Sequence, residues 1–217
     1  MELPVVRNFG WTLKTLSSAH TEINNLPSGQ IEFIIHHEKI NGITIEMLQW
    51  WFQKFPYLTV IKSGQKYTSY DLWHPFDHIA VTVDQEKSIV EQGDTININE
   101  CFQRNSVNYL NEKAIIFYFQ KDGFGMQRKL FGKTIMQLLH KFEQVDGGVL
   151  YKSRMILGLE NGFLKFIVNK YIIPKKFGQL KANAWLRHNV EEVGCFENFL
   201  SDLYVRRNQG NQIDLDV

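Results

Sequence analysis

The segment FGQLKANAWLRHNVEEVGCFENFLSDLYVRR near the C-terminus limits this chain more than any other stretch. It reads as one long helix with a strong apolar stripe, beginning near Pro174. At about 100° per residue, His188 and Glu192 lie about 40° apart, in the same sector as Trp185, Phe196, Phe199 and Leu203. Glu191 falls outside that sector. The stripe needs a broad apolar partner. A carboxylate inside the stripe must be paired, protonated or metal-bound, because an isolated buried charge costs too much.

Strands supply the partner. IEFIIHH (31–37), HIAVTV (78–83), TININECF (95–102), KAIIFYFQ (113–120), VLYKSRMILG (149–158) and LKFIVNKY (164–171) read as strands, the last two joined as a hairpin through the turn LENG. TIEMLQWWFQKF (44–55) reads as a helix capped by Thr44 and stopped by Pro56, and residues 128–144 show helical spacing as well. Residues 1–30 read as irregular and residues 206–217 as a polar tail. No repeat or linker divides the 217 residues, so one domain is expected. Strands followed by one long helix give an α+β class, the sheet curled around the C-terminal helix.

Composition narrows the partners. Twenty-four basic residues against 23 acidic ones, with no basic block, argue against nucleic acid. No apolar run is long enough for a span, so no membrane partner is expected. Two cysteines, Cys101 and Cys195, suggest no disulfide framework, and with no secretory signal a cytoplasmic location is expected. The unusual figure is 13% aromatic residues, 16 of them Phe, which suit a core or a cavity for a flat ligand.

In TININECF, alternation sets Glu100 on the face of Ile96, Ile98 and Phe102. Two elements thus aim carboxylates inward, at Glu100 and Glu192. His188 and Glu192, one turn apart, can both reach one ion, and a shared cation accounts for both carboxylates at once. Cys195 falls on the same side and reads as a core residue. YDLWHPFDH adds His74 and His78, with Asp77 beside them. Alternation sets His78 with the face opposite Ile79, Val81 and Val83, but Pro75 makes the start of this strand irregular, so either histidine can serve. His20, His36, His37 and His140 read as surface or hydrogen-bonding residues.

INGITIEMLQWWF, YTSYDLWHPFDH, INE around Glu100, and LRHNVEEVG followed by ENFLSDLY together resemble the 2,4-diacetylphloroglucinol hydrolases and the related phloretin hydrolases, in family order from about residue 35 to 205. The resemblance implies a helix-grip fold, a curved antiparallel sheet wrapping a long C-terminal helix. It implies zinc held by two histidines and two glutamates, carried onto this chain as His78, Glu100, His188 and Glu192, with His74 as the fallback for His78. It implies hydrolysis of a carbon–carbon bond between an acyl group and a phenolic ring. Zinc suits that chemistry by polarising a ketone and lowering the pKa of water. Tyr70, eight residues before His78, is the expected catalytic and substrate-contacting hydroxyl, with Tyr151 as a second substrate contact and His140 and Arg154 as further pocket residues. The chain departs from the family in its first thirty residues, and Val81 stands where a polar substrate contact is expected. The substrate expected is a small phenolic ketone or a polyketide-like relative. Two other readings remain: an iron or manganese enzyme on the same scaffold, and a non-catalytic binding protein for a flat hydrophobic ligand. A homodimer is carried as an expectation with no motif behind it.

Overall fold

The computed structural model describes residues 3–216. Its main sheet is antiparallel throughout. It is built from β1 (His20–Asn25), β2 (Ile31–His36), β3 (Ile40–Asn41), β6 (His78–Val83), β7 (Thr95–Cys101), β8 (Tyr109–Gln120), β9 (Gly123–Leu130), β10 (Lys133–Val145) and β11 (Gly148–Leu157). The order is β1-β2-β11-β10-β9-β8-β7-β6, with β3 also paired to β11. Three short strands, β4 (Thr59–Lys62), β5 (Gln65–Thr68) and β12 (Gln212–Asp214), form a second sheet. Helix α1 (Ile45–Lys54) is capped as expected, the Thr44 hydroxyl accepting from Met47 N–H. A five-residue helix, α2 (Ser69–Trp73), leads into β6.

The long C-terminal helix is α5 (Gln179–Val205), and the curved sheet grips it. Its central residues, from His188 to Phe196, are buried on every side. The sheet covers one face, while α1 and α2 pack on others. The N-terminal arm closes the rest: Trp11 stacks on Phe199 with ring centroids 5.8 Å apart. Lys14 crosses the helix at Gly194, where an added Cβ would stand 2.8 Å from the lysine Cγ. Lys14 then pairs with Glu197 at 3.2 Å and Glu38 at 3.3 Å. A helix buried all round explains why its stripe is so wide in sequence.

Several expectations are corrected. Residues 20–25 are not irregular but form β1, paired with β2 from His20↔His36 to Asn25↔Ile31. Residues 128–144 are not a helix. They are the end of β9, a turn at Phe131–Gly132 and most of β10, with Leu138, His140 and Phe142 buried at alternate positions. The apolar spacing there is compatible with both periods, and pairing to β9 and β11 decides for the strand. Residues 164–171 are not a strand either. They belong to a helical stretch, α3 (Lys165–Ile167), a π-turn (Val168–Ile172) and α4 (Ile173–Lys176). Asn169 ties this stretch down, accepting from Leu159 N–H at 2.7 Å and donating to Leu159 O and Ser28 O. The long helix therefore starts at Gln179 and not near Pro174, after a break at Phe177 and Gly178. The tail is not merely polar: Ile213 is buried and β12 pairs parallel to β4.

Candidate metal centre and cavity

The start of β6 decides where His78 points. His78 pairs with Glu100 across β7, but the next pairing is Ala80↔Asn99, so Ile79 is an extra residue. This bulge reverses the alternation. His78 and Val81 both face inward, which regular pleating forbids, and the open choice between His74 and His78 has its structural basis here.

Three elements, β6, β7 and α5, thereby meet. His78 Nε2 lies 3.5 Å from Glu100 Oε1 and 3.5 Å from Glu192 Oε2. His188 Nε2 lies 3.8 Å from Glu100 Oε2 and 3.6 Å from Glu192 Oε2. These separations are long for hydrogen bonds. They are close to the roughly 3.4 Å edge of a tetrahedron with metal bonds of about 2.1 Å. His78 Nε2 is buried and has no hydrogen-bond partner. Among the described residues, the ion-pair partners of both glutamates are histidines, with no lysine or arginine paired to either. A buried imidazole nitrogen with nothing to bond, facing two buried carboxylates, fits a divalent cation and fits a hydrogen-bonded cluster poorly. Among the described residues, His78, His188 and Glu192 form one group able to hold a divalent ion, and His74, Asp77 and His188 form another.

The outer nitrogens of both central histidines are held. His78 Nδ1 donates to Tyr70 O at 2.9 Å, and His188 Nδ1 donates to Asp77 Oδ2 at 3.0 Å. Each bond holds a proton on Nδ1 and aims Nε2 at the centre, the orientation a metal-binding histidine needs. His74 is turned elsewhere: its Nδ1 accepts from Asp77 N–H at 3.1 Å and its Nε2 donates to Glu191 Oε2 at 3.2 Å. Glu191, which the helical wheel sets outside the stripe, is buried there and also accepts from Arg187. His74 thus braces the loop that carries Asp77. Asp77, His74 and Glu191 form a supporting shell that sequence reasoning did not assign. The only signal was the Asp in LWHPFDH.

Electrostatics follow from burial. Burial raises the Glu100 carboxyl and pushes Glu192 up to about 8, with Glu100 adding repulsion at Glu192. Burial opposes charge on His188, yet the Asp77 bond and the two glutamates hold it up at about 9. Burial and Glu100 hold the Tyr70 hydroxyl well above its ordinary range, and that hydroxyl donates to Glu100.

The site opens into a cavity of ≈210 Å³. Tyr70, Glu100, His188 and Glu192 stand at one end, and apolar side chains such as Met126, Leu138 and Met155 line its length. His140 is in the wall, its Nδ1 bonded to Ser153 Oγ at 3.0 Å, and His37 bonds the same hydroxyl at 2.9 Å. Tyr151 does not line the cavity but packs behind His140 against Phe142 and Phe196. Arg154 faces outward and pairs with Glu32 at 2.5 Å. Cys195 is buried and stands outside both candidate groups.

Residues 14–115 match the family model of the DAPG hydrolase PhiG domain. The matched span contains Tyr70, His74, Asp77, His78 and Glu100 and ends before α5. No curated protein matches the chain. Among solved structures, ginseng major latex-like protein 151 from Panax ginseng is similar at TM-score 0.50 and 11% identity, over 78% of this chain and 96% of that one. Protein Ms6760 from Mycobacterium smegmatis is similar at TM-score 0.47 and 8% identity, over 83% of this chain and 98% of that one. The ginseng likeness concerns the fold alone: a curved antiparallel sheet gripping a C-terminal helix.

Proposed function

From the match of residues 14–115 to the DAPG hydrolase domain, we propose that this protein is a zinc-dependent hydrolase that cuts a carbon–carbon bond beside a ketone in an acylated phenol or polyketide-like compound. The observation that carries the reading is the buried, unbonded His78 Nε2 facing Glu100 and Glu192. His78, Glu100, His188 and Glu192 would hold the ion. When bound, zinc supplies Lewis acidity toward a ketone oxygen and acidifies water.

The chain's own residues supply the rest. In the overall hydrolysis, water's hydroxyl joins the acyl carbon, the bond from that carbon to the ring breaks with its electron pair on the ring, and the ring carbon takes a proton. Tyr70 is our candidate for the group that delivers this proton. Burial and Glu100 keep its hydroxyl protonated at neutral pH, and it donates to Glu100 at the candidate centre. Glu100, hydrogen-bonded to that hydroxyl, is placed to return the proton. The apolar wall beyond excludes bulk water and suits a flat ring with an apolar substituent. Cys101 and Cys195, both free thiols, suit a cytoplasmic setting.

Metal content of the purified protein and of His188→Ala and Glu192→Ala tests the reading, followed by a screen of acylated phenols for release of the carboxylic acid. About one zinc per chain, lost in both variants, is expected. Iron or manganese in its place would move the chemistry to another class. No metal in protein prepared without chelator would leave a binding protein for a flat ligand.

A further inference from the structure

The helical stretch α3–α4 has apolar residues on both sides. Val168 and Ile173 are buried and line the cavity. On the outer side Phe166 is 61% exposed and Tyr171 57%, with Phe163 at 91% before them and Leu180 at 81% after them. A surface helix is ordinarily polar outside, so a face of this kind is explained by something that covers it. The neighbouring β9–β10 turn repeats the pattern. Phe131 is 86% exposed and sits at φ +49°, a region a bulky side chain rarely adopts. Lys133 joins this turn to the same rim by donating to Asn161 at 3.2 Å.

The charge of the patch identifies the partner. From Phe163 to Leu180 the sequence holds Lys165, Lys170, Lys175 and Lys176 and no Asp or Glu. Lys170 lies over the Phe166 ring, 5.0 Å from its centroid, so charge and aromatic face are presented together. A second copy of this chain, docked by two-fold symmetry, would set these lysines against each other. Nucleic acid would satisfy the lysines but not Ile167, Ile172 and Leu180, which need hydrocarbon. Exposed aromatic and aliphatic side chains among unopposed lysines are the signature of a surface that settles into the headgroup region of an anionic bilayer.

We propose that the rim formed by residues 163–180 and the Phe131 turn docks on an anionic membrane surface. Ile172, Lys176 and Leu130 belong both to this rim and to the cavity lining, so docking turns the cavity mouth toward the bilayer. An apolar ligand then passes from lipid to protein without crossing water. No segment spans the membrane in this arrangement, and docking needs neither metal nor turnover.

Flotation with vesicles of phosphatidylcholine and phosphatidylserine, against phosphatidylcholine alone, tests it. Retention on the anionic vesicles is expected, weakened by added salt. Lys170→Glu with Lys175→Glu should lower the apparent affinity about thirtyfold or more, at roughly one kcal/mol for each lysine neutralised and further loss for reversal. Phe163→Ser with Phe166→Ser should also lower it while circular dichroism is unchanged. Phe131→Asn, which relieves its backbone, gives a variant that folds at least as well and floats less. Absence of retention on anionic vesicles, or retention indifferent to these variants, would overturn the proposal. So would a dimer in sedimentation that Phe163→Ser with Phe166→Ser dissolves, which would assign the patch to a second copy.

Discussion

The Tyr70 ring lies flat on the His78 imidazole, with centroids 3.7 Å apart and planes 9° apart. The same residue accepts from His78 Nδ1 through its carbonyl and reaches Glu100 through its hydroxyl. One tyrosine therefore fixes the tautomer of one candidate ligand, sets the plane of its ring and bonds another. The spacing of eight residues follows from this geometry, since α2 and the Pro75 turn bring the chain back over its own start.

Tyr70→Phe separates these roles. The stack and the carbonyl bond survive, so metal content should hold. Turnover should fall by about a hundredfold or more if the hydroxyl delivers the proton. A kcat within a few-fold of wild type, with full metal content, would leave Tyr70 as a bracket for His78 alone.

Asp77→Asn keeps the shape beside His188 but takes the charge from its Nδ1 partner. Metal affinity should drop by about 10–100-fold, measured by competition with a chelator. His74→Gln should have a smaller effect in the same direction, because His74 acts on Asp77 and not on the centre.

Deleting Ile79 restores regular pleating at the start of β6. With Val81 and Val83 held inward by Ile98 and Ile96, His78 would then stand two places before Val81 and still pair with Glu100 facing inward. The protein should fold and keep its metal. Loss of the ion from a folded deletion variant would refute the role given to the bulge.

Burial holds His37 at about 3, with His140 adding repulsion, and burial alone holds His140 at about 3, against 6.5 when exposed. Both folded values lie below the unfolded one, so the unfolded chain binds protons first as pH falls. The stability they contribute is complete above about pH 6.5 and is lost toward pH 3, at up to about 1.4 kcal/mol per pH unit for each. Urea unfolding across that window should show the slope, and His140→Phe should flatten it.

Much of the site was legible because each candidate ligand violates a pattern. Glu100 breaks the apolar alternation of β7, and His188 and Glu192 break the stripe of α5. His78 was harder, since its orientation depends on one inserted residue that no alternation rule reveals. Asp77 and Glu191 were not legible in their supporting roles, because their partners lie on other elements more than a hundred residues away in the chain. The fold class followed from strands preceding one long helix. The element misread at 128–144 had apolar residues at spacings that suit both a helix and a strand, and only its neighbours in the sheet distinguish them.

The N-terminal arm changes what counts as the working unit. Arg7 pairs with Asp71 at 2.6 Å and donates to His78 O at 3.0 Å, while Arg104 reaches back to Pro4 O at 2.7 Å. A chain begun at Lys14, where the family match starts, would retain every candidate ligand and still lose the guanidinium that clasps the His78 backbone from behind. The boundary drawn by homology and the boundary of the mechanical support are different lines, and the second lies closer to the N-terminus.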